Sequence, residues 1–479
     1  MMSARSPFAA LLAAVLWLPT TILAQAPATA PPAVPVDAID AMVAQIMQAQ
    51  TVPGVSIAVV KDGRVLIAKG YGFSNVEKAT KATEQTIYQL ASVTKPFTAM
   101  ATLMLVDDGK LSLDRKISEI LPGLPAAWAP VTVKHLLSHT SGIKSYTDVF
   151  GEQKTPDGTV FTRDEILALV KDAPLAFAPG DRFAYCNTGY FVLGMIIEKV
   201  SGKPYGTFLQ ERIFTPLAMT STTIDDYADA RPQRAQGYGV AEGKAVAAAH
   251  THPSQPFAAG ALVSTVVDLA KWDAALTSRK LLTPASYELL WTPMRLNNGA
   301  ASTYALGWQV DPFRTRPRQA HGGGITGFST FVSRFPDDKI SVLVLTNQGG
   351  AAGGLIANSL AAILIPALEA NAPKPIADTD PKLTAFLRQV LIAAAAGTSD
   401  PAWLTPEFAG VLLPDRIKQG SQALGRLGTL QSFDLMEEAT RDTRRIRAYR
   451  AVFGATPVRV TYVLTAEGKI AGLNIQAQN

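Results

Sequence analysis

The chain has 479 residues, of which 48% are apolar and 17% are charged. It therefore has enough apolar material for a large core and lacks the composition of a disordered or coiled-coil protein. Its 44 basic and 39 acidic residues leave a net charge of +5 without a run of five like charges, so a nucleic-acid partner is not indicated. The single cysteine, Cys186, excludes an internal disulfide framework and a cysteine-rich metal site.

The first 24 residues predict a cleaved export signal. A positive charge precedes an apolar run from Phe8 to about Leu18, and cleavage is expected after Ala24 or Ala26. The run is too short to cross a membrane as a stable helix. Residues 25–36 are rich in alanine and proline and predict a disordered spacer. We therefore expect a periplasmic or secreted protein with no integral membrane segment after cleavage. An uncleaved membrane anchor is the alternative.

The region from residue 37 to residue 370 predicts one domain of mixed α and β structure. Apolar spacing predicts a helix over 37–48, and the turn at Asp62 and Gly63 between two β-rich runs, 54–60 and 64–72, predicts a hairpin. Further patterns predict helices over 92–105 and 188–202 and strands over 304–310, 328–335 and 340–348. A long apolar helix is predicted over 353–369. Strands near both ends with helices between them predict an α/β (α+β) sandwich: an antiparallel sheet flanked by helices, plus a helical lobe.

Residues 371–380 predict a linker, because they combine prolines with acidic turns. Beyond it, the patterns predict two helical stretches and three strands, at 382–396, 411–425, 443–453, 457–465 and 469–476. Residues 381–479 are therefore expected to form a second, small α+β domain.

Residues Ser92 to Lys95 form a Ser-x-x-Lys motif. If Ser92 opens a helix, Lys95 lies one turn further on the same face, about 5–6 Å away at the Cβ atoms, so its amine can contact the serine oxygen. The positive end of the helix dipole would favour a serine nucleophile and an oxyanion. A second copy, from Ser141 to Lys144, lies in a glycine-broken loop, and the alternative is that both copies are incidental. The long apolar helix that follows Ser92 favours the first copy.

The second motif is the Tyr-x-Asn of Tyr185 and Asn187, which lies between a Pro-Gly-Asp turn and the apolar helix. A loop just before a helix can present both side chains to a site. A neighbouring lysine cation lowers the pKa of a tyrosine, whereas burial raises it, so the motif alone leaves the direction open. Asn187 can offer its amide to a substrate carbonyl. The alternative is an ordinary loop tyrosine and a turn asparagine.

The third motif is His321 followed by three glycines, shortly before a strand-like run that begins at Phe328. Glycines let a ligand or another backbone approach closely. A strand edge of this kind can dock an extended substrate and offer an N–H group to an oxyanion. The alternative is a flexible glycine-rich connection.

In this order, the three motifs resemble the active-site set of the class C β-lactamase and penicillin-binding serine hydrolase superfamily. Six longer segments are also similar to family signatures: YQLASVTKPFTAMATLMLVDDGKLSLD, VTVKHLLSHTSGI, PGDRFAYCNTGYFVLGMIIEKVSG, AAGALVSTVVDLAKW, YALGWQV and HGGGITGF. The similarity covers about residues 37–370 and implies the serine β-lactamase-like sandwich. It selects Ser92 over Ser141, because the family's nucleophile follows the hairpin and opens the helix.

The resemblance also implies a role for each matching residue. Ser92 would attack a carbonyl and become acylated, and Lys95 and Tyr185 would share the proton transfers, with Tyr185 as the expected base. Asn187, His321 and Gly323 are expected to bind the substrate. The backbone N–H groups of Ser92 and Gly324 are expected to form the oxyanion hole. This is covalent catalysis without a histidine base, and no metal or cofactor is implied.

The chain departs from the family pattern at several positions. His321 replaces the usual Lys, and Gly322 and Gly324 lack the hydroxyl groups that would bind the carboxylate of a β-lactam or a terminal D-Ala. Efficient β-lactamase activity is therefore not expected, whereas His-x-Gly forms occur among family DD-peptidases, D-aminopeptidases and esterases. Cys186 stands where Ser is common and is expected to be a small buried thiol. His139 also matches the family and is interpreted as structural.

The C-terminal region resembles small cone-shaped α+β modules of the nuclear-transport-factor-like kind. For the whole chain we expect an exported serine hydrolase that cleaves an ester or a small amide through an acyl-enzyme at Ser92. The expected partner is a small-molecule or peptide substrate, for example a peptidoglycan-derived D-Ala peptide, and the oligomeric state is left open. The alternatives are a weak class C-like β-lactamase and a slow penicillin-binding sensor or scaffold.

Overall fold

A computed structural model of the protein describes residues 34–150, 158–226, 231–370, 374–425, 427–454 and 456–477. The predicted export signal, residues 1–24, lies outside these residues, as does most of the predicted spacer. Helix α1 begins at Val36, at the end of that spacer.

The described residues form fifteen strands: β1 (Gly54–Lys61), β2 (Arg64–Asn75), β3 (Thr80–Lys81), β4 (Tyr88–Gln89), β5 (Thr223–Ile224), β6 (Tyr238–Ala241), β7 (Lys244–Ala247), β8 (Leu262–Ser264), β9 (Gln319–Ile325), β10 (Phe328–Phe335), β11 (Ile340–Thr346), β12 (Leu430–Arg441), β13 (Arg444–Phe453), β14 (Thr456–Leu464) and β15 (Ile470–Ala477). They also form fourteen α-helices: α1 (Val36–Gln50), α2 (Thr94–Asp107), α3 (Val133–Leu137), α4 (Tyr146–Phe150), α5 (Arg163–Ala168), α6 (Asn187–Ser201), α7 (Tyr205–Leu209), α8 (Val266–Thr277), α9 (Pro284–Trp291), α10 (Ala352–Leu364), α11 (Pro366–Ala370), α12 (Pro381–Ala395), α13 (Pro406–Leu412) and α14 (Asp415–Gly425).

The central sheet has six strands in the order β3-β2-β1-β11-β10-β9, and the neighbouring strands pair antiparallel. The predicted hairpin joins β1 and β2 at Asp62 and Gly63, whose φ angles are 50° and 72°. Two consecutive left-handed residues define the tight turn that suits twisted antiparallel strands, which is why Asp-Gly predicted it. Strand β9, which contains the three glycines, lies at one edge of this sheet.

Helices cover the central sheet and build the lobe beside it. Every residue of β11 is buried, as expected for a strand with helices over both faces. Helix α10 packs on β10, β11 and α1, whereas α8 packs on β1, β2 and β11. Helix α2 is buried at every position from Thr94 to Leu105, and Phe97 stacks on Trp272 with ring centroids 4.0 Å apart. This central helix fixes the height of the Ser-x-x-Lys motif at its start. The predicted antiparallel sandwich with a helical lobe is confirmed.

The C-terminal residues form a four-stranded antiparallel meander, β12 to β15, with α12 and α14 packed together beside it. They have a hydrophobic cluster of their own, in which Tyr449 and Tyr462 are fully buried. Its buried Arg447 pairs with Asp378 and Glu438 and thereby ties the segment before α12 to the sheet. The first strand, β12, was not among the predicted strands.

Two other elements differ from the sequence prediction. The run 304–310 is not a strand: it turns back on itself, and Tyr304 and Gln309 form an isolated bridge. The long helix predicted over 353–369 divides into α10 and α11 at Pro366, because proline cannot donate to the preceding turn. Among the described residues, no helix is both long enough and apolar enough to cross a membrane.

Candidate active site

The Ser-x-x-Lys motif lies where the edge of the sheet meets the start of α2. Ser92 belongs to a 3-10 turn, Ala91–Val93, and the α-helix itself begins at Thr94, two residues later than predicted. Ala91 has a φ of 48°, a left-handed conformation that is uncommon for a residue with a side chain. Strands β9 and β10 both contact this turn, so the backbone around Ser92 is held by the sheet as well as by the helix.

The amine of Lys95 is the hub of the site. Lys95 is fully buried, and its Nζ atom lies 2.9 Å from Ser92 Oγ, 2.8 Å from Asn187 Oδ1 and 2.8 Å from the backbone oxygen of Ala259. Among the described residues, no carboxylate contacts this amine. Burial lowers the pKa of Lys95 well below its usual value. The geometry therefore places an amine with a weakened hold on its proton next to a serine oxygen.

Tyr185 covers this amine. Its ring centroid lies 4.8 Å from Lys95 Nζ. Although 41% of the residue's surface is exposed, burial of its hydroxyl raises the pKa of Tyr185, and the nearby Ser92 side chain lowers that pKa only in part. Of the two opposing effects weighed from the sequence, burial prevails, so Tyr185 rests as a phenol and not as the phenolate that a resting base requires.

Asn187, the first residue of α6, connects the helix to the hub. Its Oδ1 accepts from Lys95, its Nδ2 donates to Thr147 Oγ1 at 3.1 Å, and its backbone N–H donates to Ser145 Oγ at 3.0 Å. The neighbouring Cys186 is buried and donates its S–H to the backbone oxygen of Ile143 at 3.2 Å. Burial raises the pKa of the Cys186 thiol to about 11, so it is the inert thiol expected from the sequence.

The second Ser-x-x-Lys copy does not form a comparable pair. Ser141 is buried, and its Oγ accepts the backbone N–H of Ile143 at 3.2 Å, whereas Lys144 is exposed. The hydroxyl of Ser141 thus closes a local turn.

The glycine-rich strand β9 contributes backbone and little else. A Cβ atom at Gly323 would lie 2.3 Å from the oxygen of Leu90 and 3.1 Å from the nitrogen of Ser92, so a glycine is required for β9 to approach the Ser92 turn this closely. A Cβ atom at Gly324 would meet nothing within 4 Å, and Gly324 lines the open cavity. Substrate binding by Gly323 stays a prediction, and the position of Gly323 makes it the point of contact between strand and turn.

His321 was also expected to bind substrate, and its side chain has a different place. It is buried beside the site and does not line the cavity; its Nε2 lies 2.8 Å from the Tyr304 hydroxyl and its Nδ1 2.7 Å from the oxygen of Gly322. Burial and the neighbouring Lys95 lower the pKa of His321 to about 3. With a neutral ring, Nδ1–H donates to Gly322 and Nε2 accepts from Tyr304, so His321 offers no positive charge to a substrate.

A cavity of about 210 Å³ opens in front of Ser92. The described residues that line it carry no charged side chain. They are Ala91, Ser92, Tyr146, Thr147, Phe150, Asn187, Thr251, Gln255, Pro256, Ala259, Gly260, Gly324, Ile325 and Thr326. A larger cavity of about 440 Å³ is lined by Trp291, Arg334 and neighbours and includes none of the predicted site residues. Within the described ranges, no group of three or more His, Cys, Asp or Glu side chains could hold a metal ion.

Several residues at the site were not singled out as functional from the sequence. Ala259 belongs to the family-like segment AAGAL, which was a usable signal, and its backbone oxygen binds Lys95. Thr147 and Ser145 hold Asn187, and neither lies in a family-like segment. Tyr304 holds His321 and begins the family-like segment YALGWQV, which was also a usable signal.

Comparison with known proteins agrees with this geometry. Residues 39–364 match the family model described as Beta-lactamase. Penicillin-binding protein 4* of Bacillus subtilis (strain 168) is 29% identical over 308 residues, which are 61% of this chain and 68% of that protein. Protein flp of Staphylococcus aureus (strain MRSA252) is 29% identical over 319 residues, 64% of this chain, and the chain spans 62% of its length.

Solved structures extend the comparison. The octameric penicillin-binding protein homologue from Pyrococcus abyssi has a TM-score of 0.65 and 26% identity, and the match covers 93% of this chain and 99% of that one. The D-amino acid amidase from Ochrobactrum anthropi SV3 has a TM-score of 0.60 and 25% identity, and the match covers 70% of this chain and 99% of that one. The chain thus belongs to the Beta-lactamase family of serine hydrolases, and it is similar to penicillin-binding proteins and to a D-amino acid amidase.

Proposed function

We propose that this protein is an exported hydrolase in which Ser92 forms an acyl-enzyme with a small amide or ester. The observation that carries the proposal is the 2.9 Å contact between Ser92 Oγ and the Nζ atom of a fully buried Lys95. A serine hydroxyl needs a nearby base to become a nucleophile. Because burial lowers the pKa of Lys95 well below its usual value, the neutral amine is more populated than in an exposed lysine.

We assign the base to Lys95 and not to Tyr185, in contrast to the expectation drawn from the resemblance. A neutral amine has two N–H bonds and one lone pair. The two N–H bonds match the oxygens of Asn187 and Ala259, both 2.8 Å away, and the lone pair is left for the Ser92 hydroxyl. Tyr185, whose pKa is raised, is a proton donor in this arrangement.

The steps follow from these positions. The proton of Ser92 passes to Lys95 Nζ as Oγ forms a bond with the substrate carbonyl carbon, and the backbone N–H groups of Ser92 and Gly324 stabilise the resulting oxyanion. Tyr185 donates its proton to the leaving nitrogen or oxygen as the bond to carbon breaks, and it recovers a proton from Lys95. In deacylation a water oxygen bonds to the acyl carbon as its proton passes to Tyr185, whose own proton passes to Lys95 Nζ. Lys95 then gives a proton to Ser92 Oγ as the bond between Oγ and the acyl carbon breaks.

The cavity supports an uncharged class of substrate. Its described lining carries no charge, and Tyr146, Phe150 and Ile325 offer apolar contacts. A substrate carboxylate would find no charged partner there, whereas an amide or ester with an uncharged leaving group would need none. The likeness to a D-amino acid amidase supports a small D-aminoacyl amide or ester. Peptidoglycan-derived D-Ala peptides are the second candidate, supported by the relative named Penicillin-binding protein 4*.

Export and domain division complete the proposal. The leader at residues 1–24 supports a periplasmic or secreted location. The separate hydrophobic cluster of the C-terminal residues supports a second domain over 381–479 after a linker at 371–380.

The test combines labelling and substrate profiling. A fluorophosphonate probe should label Ser92 in the wild-type protein, as located by mass spectrometry, and Ser92→Ala should abolish both labelling and turnover. Ser141→Ala is the matched control and should leave both intact. The substrate panel contains a D-aminoacyl amide, p-nitrophenyl acetate, a D-Ala-D-Ala peptide and nitrocefin, and we expect the first two to turn over fastest. Labelling at Ser141, or activity in Ser92→Ala, would contradict the proposal.

A further inference from the structure

His139 contacts the segment that carries Tyr185 at three points. Its Nδ1 accepts the backbone N–H of Cys186 at 3.0 Å, and its backbone oxygen accepts the N–H of Ala184 at 2.9 Å. Its ring lies against the ring of Tyr185, with centroids 4.2 Å apart and an angle of 37° between the planes. His139 therefore fixes the residues on both sides of Tyr185 and also one face of the Tyr185 ring.

The hydrogen bonds determine the protonation state of His139. Because Nδ1 accepts from Cys186, the proton of the neutral ring is on Nε2, which is buried and has no hydrogen-bond partner among the residues that the structure describes. Burial and the nearby Lys95 and His321 lower the pKa of His139 well below its usual value. A buried N–H group without a hydrogen bond destabilises the folded state, and an apolar ring would fill the same space without that cost. The acceptor at Nδ1 is thus the feature that an apolar residue would not supply.

The turn that carries His139 is itself held firmly. His139 has a φ of 58°, in the left-handed region, and the backbone oxygens of Thr140 and Gly142 accept the N–H groups of Gly180 and Ala176, both at 2.8 Å. A Cβ atom at Gly142 would lie 2.1 Å from the oxygen of Phe177. The turn is therefore a fixed platform, bonded along the same stretch of chain that leads to Tyr185.

Tyr185 needs such a platform, because 41% of its surface faces solvent and it lies in a loop. Its other aromatic and cation contacts within the described part of the chain are the amine of Lys95, 4.8 Å from the centroid, and the more distant ring of His321, at 6.3 Å. Without the face and the acceptor of His139, an outward rotation of Tyr185 would separate its hydroxyl from Ser92.

We propose that His139 is a positioning residue that holds Tyr185 over Lys95 so that its hydroxyl reaches Ser92. The inference rests on the proposed function, since it assigns His139 a part in the proton transfers at Ser92 without contact with substrate. It also replaces the interpretation of His139 as a purely structural residue.

The test uses two variants and a matched control in the full-length protein. His139→Ala removes the ring and the acceptor, whereas His139→Asn keeps an acceptor within reach of the Cys186 N–H and removes the ring face. His135→Asn changes the histidine four residues earlier, whose Nδ1 accepts at the start of α3. Thermal unfolding identifies folded variants, and kcat, KM and the rate of fluorophosphonate labelling are measured for each.

We expect His139→Ala to lower kcat and the labelling rate about 100-fold, the loss typical of a misplacement by about 1 Å, while KM changes little. His139→Asn should lose about tenfold, and His135→Asn should behave like the wild type. A folded His139→Ala protein with wild-type kcat and labelling rate overturns the inference. If His139→Ala does not fold, His139→Asn decides: a loss no greater than that of His135→Asn overturns it. Failure of the wild-type protein to label at Ser92 would instead count against the proposed function.

Discussion

Replacement of Gly323 by alanine tests whether β9 must touch the Ser92 turn. The added Cβ would lie 2.3 Å from Leu90 O, 2.4 Å from Thr330 Oγ1 and 3.1 Å from Ser92 N. Because carbon contacts are optimal at about 3.5–4.0 Å, the strand or the turn must move by roughly 1 Å. Neither obstacle near the turn is a flexible side-chain end: Leu90 O and Ser92 N are backbone atoms.

The displacement should be seen first in catalysis. Ser92 N–H and Gly324 N–H are the proposed oxyanion donors, and the loss of one such donor costs about 10²–10³ in kcat. Overpacking also lowers the free energy of unfolding by about 1–3 kcal/mol. We therefore expect Gly323→Ala to fold with reduced thermal stability, to label slowly with fluorophosphonate and to lose most of its kcat.

Gly322→Ala is the matched control on the adjacent residue. A Cβ there would lie 3.2 and 3.3 Å from the ring of Phe331, which can turn away, and 3.9 Å from the oxygen of Thr330, which is an ordinary contact. This variant should keep its labelling rate and kcat. A Gly323→Ala protein that is as active as Gly322→Ala would refute the reasoning that the contact between strand and turn sets the oxyanion site.

Two further predictions concern the proton transfers. Tyr185→Phe keeps the ring over Lys95 and against His139 but removes the proton donor, so kcat should fall about 10²–10⁴-fold with little change in KM or thermal stability; wild-type turnover would remove Tyr185 from the mechanism. For Lys95, burial lowers the folded-state pKa, so kcat/KM should fall as the pH drops through that lowered pKa and the base becomes protonated. At pH values between the lowered pKa and the ordinary value of 10.5, Lys95 binds a proton in the unfolded chain but not in the folded chain, so the free energy of unfolding should rise with pH. Lys95→Met should lose this rise. An unchanged pH slope in that variant would contradict the assigned direction of the pKa shift.

The sequence predicted which polar side chains meet but not how each one is oriented. Spacing placed Lys95 beside Ser92, and the position of Tyr185 and Asn187 just before an apolar helix predicted their presentation to a site; the structure brings all four together. Because both copies have the same Ser-x-x-Lys motif, Ser92 could be distinguished from Ser141 only by the surrounding sequence.

The orientation of His321 and the pKa of Tyr185 depended on contacts that spacing does not encode. His321 turns to Tyr304, which lies in a run that alternation had predicted to be a strand and that instead bends back. The pKa of Tyr185 depends on how closely its hydroxyl is packed, and a list of neighbouring charges does not contain that information. Strand β12 was missed because its partly buried residues, in positions such as Ser432 and Glu438, do not alternate cleanly with exposed ones.

The lone thiol beside the site has a practical consequence for chemical probes. With a pKa of about 11, roughly one Cys186 side chain in ten thousand is a thiolate at neutral pH, and the residue is 3% exposed. Alkylating agents such as iodoacetamide and maleimides should therefore pass over it, and an oxidising compartment should not drive it into crosslinks between chains. Electrophiles that react with serine hydroxyl groups can then be used on the native protein without first blocking the Cys186 thiol.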